Sequence, residues 1–347
     1  MSLLEKLEIK HPIFLAPMAG VSTPQLASEV SNQGGLGALG LGASTVPQAE
    51  QQILATQSLT DAPFQVNFFC HQAQQLDEQV MKSWLDRLQP EFEKFGAQVP
   101  EKLNCIYPSF TDHDDYLRMV LETKPKIVSF HFGLPLAHQI RALKQAGIIT
   151  MVTATNLAEA KLIEAAGIDV IIAQGIEAGG HRGIFNENID GALTTKELVQ
   201  LLLKHCQIPV VAAGGIMHGQ HIREFLQLGA SAVQMGTAFV QCKSSNANDA
   251  YRNALFAQPL TQITASISGR PARGLINTWH EQIDTPERPH VPPYPYSYDV
   301  AKQLHALASK HDDHGYGAFW AGSNVSHIRS FEAADLMNQL ALEMTHA

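Results

Sequence analysis

The chain has 347 residues, 45% of them hydrophobic and 16% charged, which is too apolar and too weakly charged for disorder, so one large folded domain or two to three smaller ones are expected. Lys and Arg number 24 against 33 Asp and Glu, a net charge of −9. With no basic stripe, the composition argues against nucleic acid and against an anionic membrane surface as partners.

Glu5, Lys6, Glu8 and Lys10 leave no apolar signal core in the first ten residues. No uninterrupted apolar run reaches bilayer length, so a cytoplasmic protein is expected. Short apolar runs then recur at 12–17, 36–40, 64–67, 127–132, 149–153, 170–174, 208–213 and 232–235. Most lack polar alternation, the mark of strands buried on both faces. Helical patterns lie between them at 24–33, 48–55, 76–95, 114–122, 136–145, 157–166, 195–205 and 219–228. Three of these end at Gly147, Gly167 and Gly229, each read as a left-handed stop. Eightfold strand–helix alternation predicts an α/β fold, a (β/α)8 TIM barrel. Periodicity alone does not separate that from a doubly wound open sheet. A ninth apolar segment, 103–107, is assigned to a stretch over the barrel mouth.

After Val240 the rhythm stops. Residues 241–299, with several prolines and the run SGRPARG at 268–274, are read as an inserted cap or substrate region. Residues 1–240 and 300–347 are then the barrel with C-terminal packing helices. One helix, resuming after Pro295, carries Val300, Leu304 and Leu307. The other, 328–344, turns Phe331, Leu336 and Leu340 inward, and a Gly-rich loop, 315–322, lies between them. The cysteines, Cys70, Cys105, Cys206 and Cys242, have no metal-ligand spacing and read as small buried hydrophobes. The 16 histidines include no HExxH or zinc-type cluster, so no metal site is expected.

Function in a parallel barrel gathers just after the strand C-termini. Gly214-Gly215 follows the seventh apolar run, and Gly236-Thr237 follows Gln234-Met235 at the end of the eighth. Glycines there admit an anion to backbone N–H groups, so phosphate binding is favoured over mere tight turns. The loop QGIEAGGHRG, 174–183, surrounds His181 and Arg182 with Gly179, Gly180 and Gly183, presenting an imidazole and a guanidinium. Asn67 either bonds a planar ring or caps the next helix. His131 alone reads as a satisfied buried histidine, and Ala16 to Met18 alone read as packing. Tyr294, Tyr298 and Lys302, spaced by four, are by spacing a solvated helix face.

Taken together, APMAGVSTPQLASEVSNQGGLGALG (16–40), PFQVN (63–67), FHFG (130–133), QGIEAGGHRG, AAGGI (212–216) and QMGTAF (234–239) resemble the class I nitronate monooxygenases, formerly 2-nitropropane dioxygenases. The resemblance runs from Pro12 to about Val240 and resumes at 294–302; Gln65 stands where the family pattern has Gly. It implies a barrel holding FMN through Ala16, Met18, Asn67, Gln174, Gly179, Gly180, Gly214, Gly215, Gln234, Met235, Gly236 and Thr237. It further implies a substrate cavity lined by Tyr107, His131, His181, Tyr294, Tyr298 and Lys302. His181 would contact the nitro group, or act as base toward a neutral nitroalkane, and Lys302 or Arg182 would attract a substrate carboxylate. The implied reaction takes an alkyl nitronate of the propionate 3-nitronate type and O2 to a carbonyl compound plus nitrite and nitrate. An NAD(P)H-dependent flavin reductase on the same barrel and a non-catalytic phosphate-ligand module are the alternatives, and a homodimer is left open.

Overall fold

The computed structural model describes residues 2–257 and 260–345. In chain order the strands are β1 (Ile13–Leu15), β2 (Gly37–Gly40), β3 (Phe64–Phe69), β4 (Ile127–His131), β5 (Ile149–Ala154), β6 (Val170–Gln174), the two-residue β7 (Gly180–His181), β8 (Val210–Ala213), β9 (Ala232–Met235), β10 (Thr261–Thr264) and β11 (Ala272–Leu275). Eight of them form one parallel sheet in the order β1-β9-β8-β6-β5-β4-β3-β2. Phe14 bridges Leu36, and the Leu15 N–H donates to the Leu36 carbonyl at 2.8 Å, which brings the two ends together. The sheet is therefore a barrel, and the open-sheet alternative falls.

The helices between the strands carry the caps expected of their sequences. Thr23 accepts from the Leu26 N–H, with Pro24 in the first turn. Thr194 and Glu197 form a reciprocal capping box. Helix Val46–Leu59 starts two residues earlier and ends four later than the apolar pattern of 48–55; at its start Pro47 suits the first turn and Gln48 Oε1 accepts from the Thr45 N–H at 3.0 Å. Gly147, Gly167 and Gly229 take positive φ of 74°, 77° and 107°, as stops require.

Inside the barrel the side chains change from apolar to polar along the strands. Leu3 and Leu7 of helix Leu3–Leu7 pack with Phe14, Ile127, Ile149 and Val170 at the strand N-termini. Two and four residues further on, the same inward rows read Ser129 and His131 on β4, Met151 and Thr153 on β5, and Ile172 and Gln174 on β6. This gradient closes one end of the barrel and makes the other end a site.

A second core lies over that open end. It joins Trp84, Leu88 and Phe92 of helix Glu78–Glu93 to Leu103, Ile267, Trp279, Ile283, Val300, Leu304 and Tyr316. It thus takes side chains from 84–103 and 300–316 as well as from 241–299. Helix Tyr296–Ser309 belongs to this core, contrary to the expectation that it packs on the barrel. Helix Ala333–Thr345 does pack there, through Leu336, Met337 and Leu340. Residues 103–107 form no strand; they cross the mouth as irregular chain. A three-stranded sheet of β10, β11 and β7, absent from the sequence reading, pairs Ala272 with His181 and Arg273 with Gly180. Cys105 is exposed rather than buried; the other three cysteines are buried. No helix among the described residues is long and apolar enough to cross a membrane.

Leu7 is fully buried beneath the barrel. Leu7→Ala is expected to cost about 2–5 kcal/mol, read as a lower thermal midpoint, while ligand binding at the opposite end is retained.

Candidate active site

A cavity of about 850 Å³ occupies the polar end of the barrel under the cap, within the range of cofactor sites. Every residue assigned to cofactor or substrate from the sequence lines it except Arg182. The loops after β8 and β9 form one end. Among the described residues the backbone N–H groups of Gly215, Ile216, Gly236 and Thr237 have no protein acceptor. Asn324 steadies the first loop by donating from Nδ2 to the Gly215 carbonyl at 2.6 Å. The Thr237 hydroxyl accepts from the Gly322 N–H at 3.0 Å and keeps its own proton for a ligand. A Cβ on Gly236 would sit 3.3 Å from the Ala16 Cβ and 3.6 Å from the Met18 Sδ. Backbone N–H groups without a protein acceptor at one end of the cavity are donors available to an anion.

The floor is built from strand ends. Asn67 donates to the Ser129 hydroxyl at 3.1 Å, so its placement is not that of a helix cap. Gln65 lies fully buried beneath, donating to the Leu15 carbonyl at 3.1 Å and to Gln234 Oε1 at 3.3 Å. Where the family pattern has Gly, this chain therefore buttresses the floor from inside the barrel. Gln174 turns inward on its own loop: Oε1 accepts from the Gly183 N–H at 2.7 Å, and Nε2 donates to the His181 carbonyl at 2.9 Å.

The opposite wall is aromatic. The His181 ring lies between Phe132, Tyr294, Tyr298 and Trp320, with ring centroids 5.2–5.9 Å away. Burial, then His131 and Arg270, push its pKa down to about 3, so the imidazole is neutral. His131 is likewise neutral, pushed down to about 4 chiefly by burial. Its Nε2 donates to the His181 carbonyl at 3.1 Å and its Nδ1 meets the Thr153 hydroxyl at 3.0 Å. It lines the cavity but has no nitrogen free for a substrate.

Burial raises the phenols of Tyr107 and Tyr298 to about 12, and Tyr294 well above its usual value, so all three remain O–H groups. Lys302 donates to the Tyr107 hydroxyl at 2.6 Å and lies 5.2 and 5.8 Å from the Tyr107 and Tyr298 ring centroids. Tyr294 and Tyr298 face the cavity and Tyr296 does not. The trio is thus a cavity wall and not a solvated face.

Arg182 is the correction. Its guanidinium is fully buried, bound to both oxygens of Asp190 at 2.8 and 3.1 Å and to the Gly175 carbonyl at 2.7 Å. It braces the loop from behind and does not reach a substrate. The sequence reading also passed over Phe69, Ser268, Arg270 and Trp320. Arg270 is buried with its guanidinium carbon 4.3 Å from the Phe132 ring centroid. The SGRPARG run and the Gly-rich loop were the available signals for Arg270 and Trp320, but nothing local says that either loop returns to the mouth.

His71, pushed down to about 4 mainly by burial, joins His131 and His181 as a third histidine held neutral. All three take protons near pH 6.5 when unfolded. Their contribution is therefore intact above that pH and is lost as the pH falls from 6.5 toward 4, about 1.4 kcal/mol per pH unit per histidine. Thermal midpoints measured across pH 4.5–7.5 should fall steeply on the acid side, and His71→Gln should flatten that slope. An unchanged slope in the variant would contradict the assignment.

The nitronate monooxygenase family profile matches residues 1–343. A nitronate monooxygenase of Paraburkholderia phytofirmans is 50% identical over 346 residues, covering 99% of this chain and 94% of that protein. One from Pseudomonas aeruginosa is 48% identical, covering 97% of each. The crystal structure of a nitroalkane oxidase from Streptomyces ansochromogenes superposes with a TM-score of 0.90 at 36% identity, covering 99% of this chain and 98% of that one. With the cavity in the position this fold reserves for function, the conclusion is direct: the chain belongs to the nitronate monooxygenase family.

Proposed function

We propose that the protein is an FMN-dependent nitronate monooxygenase, oxidising alkyl nitronates of the propionate 3-nitronate type with O2. The observation that carries this reading is one cavity with backbone N–H donors available to an anion at one end and a neutral imidazole boxed by aromatics at the other. Gly215, Ile216, Gly236 and Thr237 would hold the FMN phosphate. Ala16, Met18, Asn67, Gln174, Gly179, Gly180, Gly214, Gln234 and Met235 would border the ring system. When bound, the flavin supplies the electron acceptor for the oxidation.

The chain's own groups do the rest. Phe69, Tyr294, Tyr298 and Trp320 exclude water and leave a slot for a flat substrate against the floor. Lys302 brings the positive charge that an anionic substrate needs, and it is the cavity's candidate partner for a carboxylate now that Arg182 is committed elsewhere. The Tyr107 and Tyr298 hydroxyls stay protonated and donate toward the substrate oxygens. His181 faces the nitro end. Being neutral at physiological pH, it is able to take the α-proton of a substrate that arrives as the neutral nitro compound.

Two variants test the assignment. His181→Ala should lower turnover of a neutral nitroalkane by about 10²–10⁴-fold while the purified protein stays yellow, measured by oxygen uptake. Gly236→Leu should purify with little flavin, because its side chain fills the space beside Ala16 and Met18. Wild-type turnover in the histidine variant would remove His181 from the chemistry. Rapid flavin bleaching by NAD(P)H without nitronate turnover would favour a flavin reductase.

A further inference from the structure

The run SGRPARG, 268–274, lies outside the barrel, and besides the Arg270 charge and the pairing of Ala272 with His181 it reaches the His181 ring through one hydroxyl. Ser268 is fully buried, and its Oγ lies 2.9 Å from the His181 Nε2. The same hydroxyl lies 3.0 Å from the Arg270 carbonyl and accepts from the Arg270 N–H at 3.3 Å. A serine hydroxyl has one proton. Given to the imidazole, it would leave the Arg270 carbonyl without a donor among the described residues. Given to the carbonyl, it leaves Oγ free to accept from Nε2–H, and all three groups are satisfied. Only the second arrangement avoids an orphaned buried oxygen.

The turn that holds Ser268 is itself anchored. The Arg270 guanidinium donates to the Ile184 carbonyl at 2.7 Å, pairs with Glu187 at 3.3 Å and stacks on Phe132, the ring that packs edge-on against His181. The His181 carbonyl is fixed independently by Gln174 and His131. Backbone and ring are thus held from two directions.

We propose that Ser268 is the positioning residue of His181, holding the ring with the proton on Nε2 and the lone pair of Nδ1 turned to the cavity. The catalytic consequence rests on the role given to His181 above; the tautomer does not. A ring with this tautomer accepts from whatever lies in the cavity and does not donate to it.

The test is ring-¹⁵N histidine NMR of the flavin-loaded protein, with the His181 signals assigned from the His181→Gln spectrum. The wild type should show His181 protonated at Nε2. Ser268→Ala should lose that preference and lower kcat with a neutral nitroalkane about tenfold or more, by analogy with other orienting partners, at unchanged flavin content. Ser268→Thr, which keeps the hydroxyl, should restore both. A wild-type proton on Nδ1, or an alanine variant with tautomer and kcat unchanged, overturns the proposal. The expected tautomer shift in a protein that turns over no nitronate would instead sink the proposed function and leave the positioning role standing. If the alanine variant does not fold, the wild-type and threonine spectra still decide.

Discussion

The carboxamide of Gln174 is the interaction on which the site depends. It stands at the C-terminal end of β6, and its two ends bind the loop that follows: the oxygen takes the Gly183 N–H and an Arg182 N–H, and the nitrogen reaches the His181 carbonyl. A ten-residue loop has many shapes of similar free energy, and these bonds select one. Arg182 completes the selection from behind, tying the Gln174 and Gly175 carbonyls to Asp190. With the loop closed on itself, Gly180 and His181 pair with β11 as the edge of the cap sheet. The imidazole is therefore set by barrel and cap together.

Around that loop the barrel does two different things with one pattern of alternation. Inward side chains at the strand N-termini are apolar and close over Leu3 and Leu7, which supplies burial. Inward side chains at the strand C-termini are Asn67, Ser129, His131, Thr153, Gln174 and Gln234, which are buried only because they bond one another or face the cavity. The cap then lowers the polarity of that space. Its aromatic rings surround His181 without offering it a carboxylate, which keeps the imidazole uncharged. The positive charge enters from the far side, on Lys302, lodged between Tyr107 and Tyr298.

How far the sequence could be read depended on how local each signal was. The glycines after β8 and β9 were legible as cavity-lining positions because small residues at strand ends of a parallel barrel stand at its functional mouth, a pattern visible within four positions. His181 was legible because three glycines around it mark a loop built to bend. Arg182, its neighbour, misled for the same reason: sequence adjacency says nothing of direction, and one guanidinium was buried while the imidazole beside it faced the cavity. Tyr294, Tyr298 and Lys302 looked like a solvated face because helical spacing shows which residues share a side, not what covers that side. Ser268, Arg270 and Trp320 lie 87 or more residues from His181, and no local pattern links them to it.

The order of the eight barrel strands with the helices between them, and the glycine-bearing ends of the last two of those strands, were determined by the sequence alone. Each follows from hydrophobic periodicity, capping residues and backbone freedom, which act over a few residues. The tertiary structure decided which side chains meet. The union of 84–103 with 267–316 in one cap core, the turning of Arg182 away from the cavity and the docking of Ser268 on His181 are contacts between distant segments. They exist because closing the barrel and seating the cap bury surfaces that no single stretch of chain can bury by itself.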